Sequence, residues 1–238
     1  MNPGAAMKIL IAVFSVLFCA ELARADVIAL WQNDALGGNE VTAPANTLGT
    51  NIESAVIGRG PGGTATVYTN TFGMRNANAV SLEDAVTSNR YLTISVAAED
   101  GYMFTVTNMF IRLQAQNATS YEVYFTLYSD VTGYGAGDEL TTWTVGGTGN
   151  SNDWLGQPRS VDLSTYSEFE DLTEVEFRVY VWGQQGGAFT QTGVGRAFQT
   201  NGTDDLVLTG TISVVPEPGS LALLGLGIWA LARRRRLV

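Results

Sequence analysis

Residues 173–182 read Thr-Glu-Val-Glu-Phe-Arg-Val-Tyr-Val-Trp, and their alternation decides the fold class. Successive side chains of a β-strand point to opposite sides. Val175, Phe177, Val179 and Val181 therefore share one face, and Glu174, Glu176, Arg178, Tyr180 and Trp182 share the other. One face is built for a core. The design recurs at 121–128, where Tyr121, Val123, Phe125 and Leu127 oppose Glu122, Tyr124, Thr126 and Tyr128. Leu92, Ile94 and Val96 alternate likewise, as do Leu206, Leu208, Gly210, Ile212 and Val214.

Further strands are expected over 27–31, 52–57, 64–72, 102–114, 140–145 and 159–163, with Gly, Asn, Thr and Asp clusters as the turns between them. About ten strands in one domain require two packed sheets. No internal repeat recurs at the spacing a propeller or solenoid would show. The pattern predicts an all-β, two-sheet antiparallel β-sandwich of jelly-roll type. A signal-peptide helix and a C-terminal membrane helix are expected to flank the sandwich; within it the one local helix expected is a connector over 164–172, with Ser164 or Thr165 as its cap and Glu168 completing a capping box.

Composition closes off whole classes of chemistry. Residues 26–215 hold seven arginines, no lysine and 21 acids, a net charge of −14 against −10 for the full 238 residues. Such a domain repels phosphate backbones, so no nucleic-acid partner is expected. Histidine is absent, Lys8 is the last lysine, and the sole cysteine, Cys19, falls in the N-terminal apolar run. Ser-His-Asp and Cys-His catalysis, His- or Cys-ligated metals, Schiff bases and disulfides are therefore closed to the 26–215 segment. No glycine-rich phosphate loop joins a strand to a helix.

The two ends carry addresses. Lys8, the apolar run 9–20 and the small-x-small pattern Ala23-Arg24-Ala25 read as a signal peptide over residues 1–25, removed by signal peptidase. At the other end Pro216-Glu217-Pro218 precedes 14 uncharged residues, 219–232, and then Arg233, Arg234, Arg235 and Arg236. As a helix those 14 residues would span about 21 Å, short of the roughly 30 Å hydrocarbon core. The arginines fix the tail on the cytoplasmic side and leave the domain outside.

This arrangement resembles the C-terminal sorting signal of PEP-CTERM proteins. The resemblance implies export across the inner membrane of a Gram-negative bacterium, transient anchoring with the domain periplasmic, and processing by an exosortase before delivery to the cell surface or beyond. The run 175–183, followed by Asp205-Leu206-Val207-Leu208-Thr209-Gly210 just before Pro216, is similar to the jelly-roll ectodomains of such proteins. The expected division is thus 1–25 signal peptide, 26–215 ectodomain and 216–238 sorting signal.

What remains for chemistry is carboxylates and aromatic rings. The adjacent acid pairs, such as Glu83-Asp84 and Asp204-Asp205, point to opposite faces if they lie in strands, so they do not themselves form the facing carboxylates of a glycoside hydrolase. Calcium suits the inventory better, because it takes hard oxygen ligands from loops. Two stretches offer them: 146–153, with Asn150, Asn152 and Asp153, and 133–139, ending in Asp138 and Glu139. Calcium is the only cofactor the residues suggest. Tyr124, Tyr128, Tyr180 and Trp182 fall on the polar side of their strands beside Arg178 and Glu122, a placement suited to stacking on sugar rings where the face is open and to burial where loops cover it. The functional expectation is a non-enzymatic exported surface or matrix protein. The alternatives are a carbohydrate-binding module for extracellular polysaccharide, calcium-dependent or not, and more remotely a carboxylate glycoside hydrolase.

Overall fold

The computed structural model of the chain describes residues 26–75, 79–115, 122–146, 156–183, 191–196 and 202–216. In chain order its strands are β1 (Asp26–Trp31), β2 (Ala43–Pro44), β3 (Thr47–Leu48), β4 (Ile52–Arg59), β5 (Thr64–Ala65), β6 (Thr71–Arg75), β7 (Tyr91–Ala98), β8 (Tyr102–Ala115), β9 (Glu122–Ser129), β10 (Thr141–Gly146), β11 (Gln157–Asp162), β12 (Glu174–Trp182), β13 (Thr192–Gly195) and β14 (Leu206–Val214). One sheet runs β3-β1-β14-β8-β13-β6-β5, with β11 also on β8; the other runs β10-β9-β12-β7-β4-β2. Every pairing is antiparallel, and the chain crosses between the sheets at most connections. The expected all-β sandwich is present.

The alternation read from the sequence becomes the seam between the sheets. Val175, Phe177, Val179 and Val181 of β12 are all buried, and they meet Phe104, Val106, Met109, Ile111 and Leu113 of β8 in one apolar cluster. Phe169 stacks on Phe177 at 5.5 Å between ring centroids, closing the end of the cluster. Each fully buried large apolar side chain contributes on the order of 2 kcal/mol by area removed from water. With no cysteine after residue 19, this seam is what holds the domain.

Two expectations about local structure are corrected. The connector over 164–172 is not a helix but a single 3-10 turn at Ser167–Phe169. Ser164 does not cap it; its amide and its hydroxyl both donate to the Asp162 carboxylate, at 2.9 and 2.6 Å. Among the described residues the α-helix lies elsewhere, at α1 (Leu82–Thr87), where Ser81 Oγ accepts from the Asp84 amide at 3.2 Å and Asp84 Oδ2 accepts from the Val80 amide at 3.0 Å. The expected strand over 64–72 is also split, into β5 and β6, with Asn70 left-handed at φ 63° between them.

One buried acid departs from the pattern. Asp205, just ahead of β14, is 2 % exposed, and its Oδ2 accepts from the Asn33 amide at 2.8 Å. Burial pushes its carboxyl up to about 6, against the opposing pull of that hydrogen bond. A carboxyl raised in the folded state stabilises most where it is protonated, so its contribution is full below about pH 4 and is lost as pH rises through 6. Asp205→Asn keeps an acceptor for the Asn33 amide without the charge. Its unfolding free energy relative to the parent should therefore rise by up to roughly 3 kcal/mol between pH 4 and pH 7.5, measured by urea titration at each pH. A difference that stays flat with pH would contradict this account.

Candidate functional site

The site is assembled on the outer face of the second sheet, the side opposite the core. Register places Tyr180 of β12 beside Tyr91 of β7 and Thr126 of β9, and Arg178 beside Thr93 and Tyr128. Part of this face is covered. Helix α1 and the segment before it lay Ala79, Leu82, Ala85 and Val86 over Tyr91, Tyr128 and Tyr180, forming a second apolar cluster. Tyr128 and Tyr180 are each 2 % exposed and meet edge to face at 5.5 Å.

The four rings expected to form one sugar-stacking surface therefore divide into two pairs. Tyr128 and Tyr180 are excluded by the cover of α1, the burial that a covered outer face implies, and only the other two rings keep an open face. Tyr124 and Trp182 stay partly exposed at the far end of the face, stacked on each other at 4.3 Å and 19°. Trp182 Nε1 donates to Thr126 Oγ1 at 2.9 Å, and the Tyr124 hydroxyl donates to Glu122. Gly183, at φ 95°, lets the chain turn beneath this pair, since a Cβ there would collide with the Tyr124 ring.

At the other end of the same face the sheet is open. A groove of about 390 Å³ has Ser54 of β4, Ser95 and Ala97 of β7, and Glu174, Glu176 and Arg178 of β12 as its floor, with Asp130 and Tyr134 of the β9–β10 loop as its wall. The loop is tied to the floor. The Asp130 amide donates to the Glu176 carbonyl at 3.0 Å, and the Glu176 amide donates back to Asp130 Oδ1 at 3.0 Å. The Tyr134 hydroxyl donates to Glu176 Oε1 at 3.1 Å.

Arg178 is the best-held charge here. Its guanidinium lies 4.0 Å from the centre of the Tyr134 ring and 4.8 Å from that of Tyr91, and its Nε donates to Glu176 Oε1 at 2.8 Å. Burial, reinforced by the negative Glu176, raises the Tyr134 hydroxyl above the ordinary tyrosine value, so Tyr134 remains a neutral donor. Tyr134 was missed in the sequence because it lies in a glycine-rich loop with no periodicity. Its neighbour Arg178 was legible only as one polar residue of a strand.

Of the residues expected to suit calcium, Asp138 and Glu139 lie within the described structure. Asp138 Oδ2 accepts from the Gly135 amide at 2.8 Å. Glu139 accepts from the Tyr128 hydroxyl at 2.8 Å and from the Gly137 amide at 2.9 Å, bonds that hold its carboxyl below the ordinary value. Both acids serve the turn. Among the described residues no three acids converge on a metal-sized site. Asn150, Asn152 and Asp153 lie outside the described residues, as do Tyr121, Ala23, Ala25, Glu217, Pro218, the 219–232 stretch and Arg233 to Arg236. Among the described residues no helix is long and apolar enough to cross a membrane.

Tyr134→Phe deletes one hydroxyl and leaves the ring over Arg178. It should cost about 1 kcal/mol, the net worth of one part-buried hydrogen bond, read as a lowered urea midpoint at unchanged slope. Tyr134→Ala should cost more, because Arg178 loses a ring face as well.

The comparison with known proteins bears on the tail. No curated protein matches the chain. Residues 214–236 match the PEP-CTERM protein-sorting motif, so the chain carries the signal of an exported, exosortase-targeted protein at the end of an all-β antiparallel sandwich.

Proposed function

We propose that the protein is a non-enzymatic cargo of this sorting route, a β-sandwich displayed on the cell surface or in the extracellular matrix of a Gram-negative bacterium. The observation that carries the reading is the sorting motif at 214–236, entered directly from the last strand of the sandwich. Signal peptidase acts at the N-terminal end, after Ala23-Arg24-Ala25, and an exosortase acts at the C-terminal one; the inner membrane holds the chain between the two events. The absence of histidine, and of lysine and cysteine from 26–215, supports a binding or structural role, since the commonest nucleophile–base pairs have no members there. Mass spectrometry of the protein recovered outside the cell is the test. Loss of residues 219–238 is expected, and their retention would contradict processing.

A second reading is favoured by one observation, the groove beside Tyr134. A rigid aromatic wall, a buttressed arginine, serine hydroxyls and carboxylates on an otherwise shallow sheet floor are groups that hydrogen-bond polyhydroxylated ligands. With Asp130, Glu174 and Glu176 against one arginine, the groove repels acidic sugars and suits neutral ones. In affinity electrophoresis through neutral polysaccharide gels, Tyr134→Ala and Arg178→Ala should each abolish retardation. Val41→Ala, at a residue 84 % exposed, should leave it unchanged. Equal retardation of parent and both groove variants would remove the groove. Loss on Trp182→Ala instead would move binding to the Tyr124–Trp182 pair.

A further inference from the structure

The sorting motif begins inside the folded domain. Its match opens at residue 214, and Val214 is the last residue of β14, paired with Tyr102 of β8. Val215 continues the ladder, its amide donating to the Gly101 carbonyl at 2.9 Å. Pro216, which has no amide hydrogen to extend the ladder, follows at once. No linker separates the sheet from the Pro-Glu-Pro triplet.

The strand is held unevenly along its length. β1 pairs with β14 only as far as Gly210, so among the described residues β8 is the only strand paired with Thr211 to Val214. Leu206 and Leu208 are fully buried, and Ile212 packs against the core. Beyond it the side chains leave the core: Ser213 is exposed, Val214 is 64 % exposed and Val215 is 38 % exposed. From Ser213 onward the chain is retained by main-chain hydrogen bonds with little apolar burial, the condition under which segments open locally at low cost.

We propose that residues 213–215 are a latch that must peel from β8 before the exosortase can act. The inference rests on the processing reading above. An enzyme working on a peptide bond needs the adjoining backbone extended and unpaired in its own site. With Val214 and Val215 docked, it meets instead the Glu99–Gly101 turn and the first residues of β8. Peeling three residues gives roughly 10 Å of free chain ahead of Pro216, and Ile212, packed against the core, stops the release there. Processing then proceeds only from the opened fraction, as proteolysis of locally unfolded chains does.

The latch can be locked. Because Val215 and Gly101 form a hydrogen-bonded pair, Val214 and Tyr102 form the adjoining non-bonded pair, whose Cα atoms lie about 4.5 Å apart in antiparallel sheets, within disulfide range. The 26–215 segment has no cysteine of its own to interfere. Tail loss in the native host is followed by pulse-chase and mass spectrometry for the full chain, for Tyr102→Cys with Val214→Cys, for each single variant, and for a chain with a ten-residue Gly-Ser insert between Val215 and Pro216. The locked protein should be processed at least about tenfold more slowly than either single variant, with the rate restored by reductant, whereas the insert should equal or exceed the parent. Processing of the locked protein at the rate of the single variants would overturn the latch and leave the sorting reading intact. Slower processing of the insert than of the parent would also overturn it. Tail retention in every chain, parent included, would overturn both.

Discussion

The structure depends on one strand, β8 of the first sheet, whose inward face is buried against the second sheet with no disulfide to hold the two together. Its 14 residues send Phe104, Val106, Met109, Ile111 and Leu113 into the seam, and its edges carry β14 and β13 on one side and β11 on the other. Residue 113 pairs with both β13 and β11, and residues 108–111 pair with both β14 and β11, which puts β13 and β14 end to end along one edge. A chain without cysteine in this region can rely only on such packing. The same strand also sets the exit of the chain, because β14 leaves the domain only after running antiparallel along β8 to Tyr102.

Function is divided along the molecule by the same geometry. The sorting address is reached at the end of the sandwich where the β7–β8 turn lies, through Gly101 and Val215. The outer face of the second sheet carries both open aromatic features, the Tyr134 groove and the Tyr124–Trp182 pair. Between them α1 seals Tyr91, Tyr128 and Tyr180 from water. A six-residue helix is too short to be stable alone. It persists here because its apolar residues complete a cluster of tyrosines whose rings would otherwise lie exposed on a flat sheet.

Charge works with this division. A net charge of −14 over residues 26–215 disfavours contact with phosphate backbones and anionic membrane surfaces on electrostatic grounds. Within the groove, acids are used in a second way: Asp130 and Glu176 clamp the loop to the floor, and Glu176 joins Tyr134 to Arg178. Arg178 is thereby fixed in place, flanked by two rings and a carboxylate, and a fixed donor loses less freedom on meeting a ligand than a surface arginine does.

The amino-acid order by itself determined the all-β class, the inward faces of β7, β9 and β12 and of the first half of β14, and the sorting address at the C-terminus. Each is written in local periodicity or in a contiguous motif, which needs no knowledge of distant residues. Tertiary structure alone decided what becomes of the outward faces. Tyr180 and Arg178 are two residues apart on the same side of one strand, yet one is sealed and the other lines a groove, because α1 packs over the first and the Tyr134 loop stands beside the second. Alternation says which way a side chain points; only long-range packing says whether anything lies over it. The same holds for the Ser164 connector, where the Asp162 carboxylate and the core position of Phe169 override a local helix signal. It holds again for Val214, whose alternation puts it on the inward side of the last strand and which the fold leaves 64 % exposed beyond the end of the core.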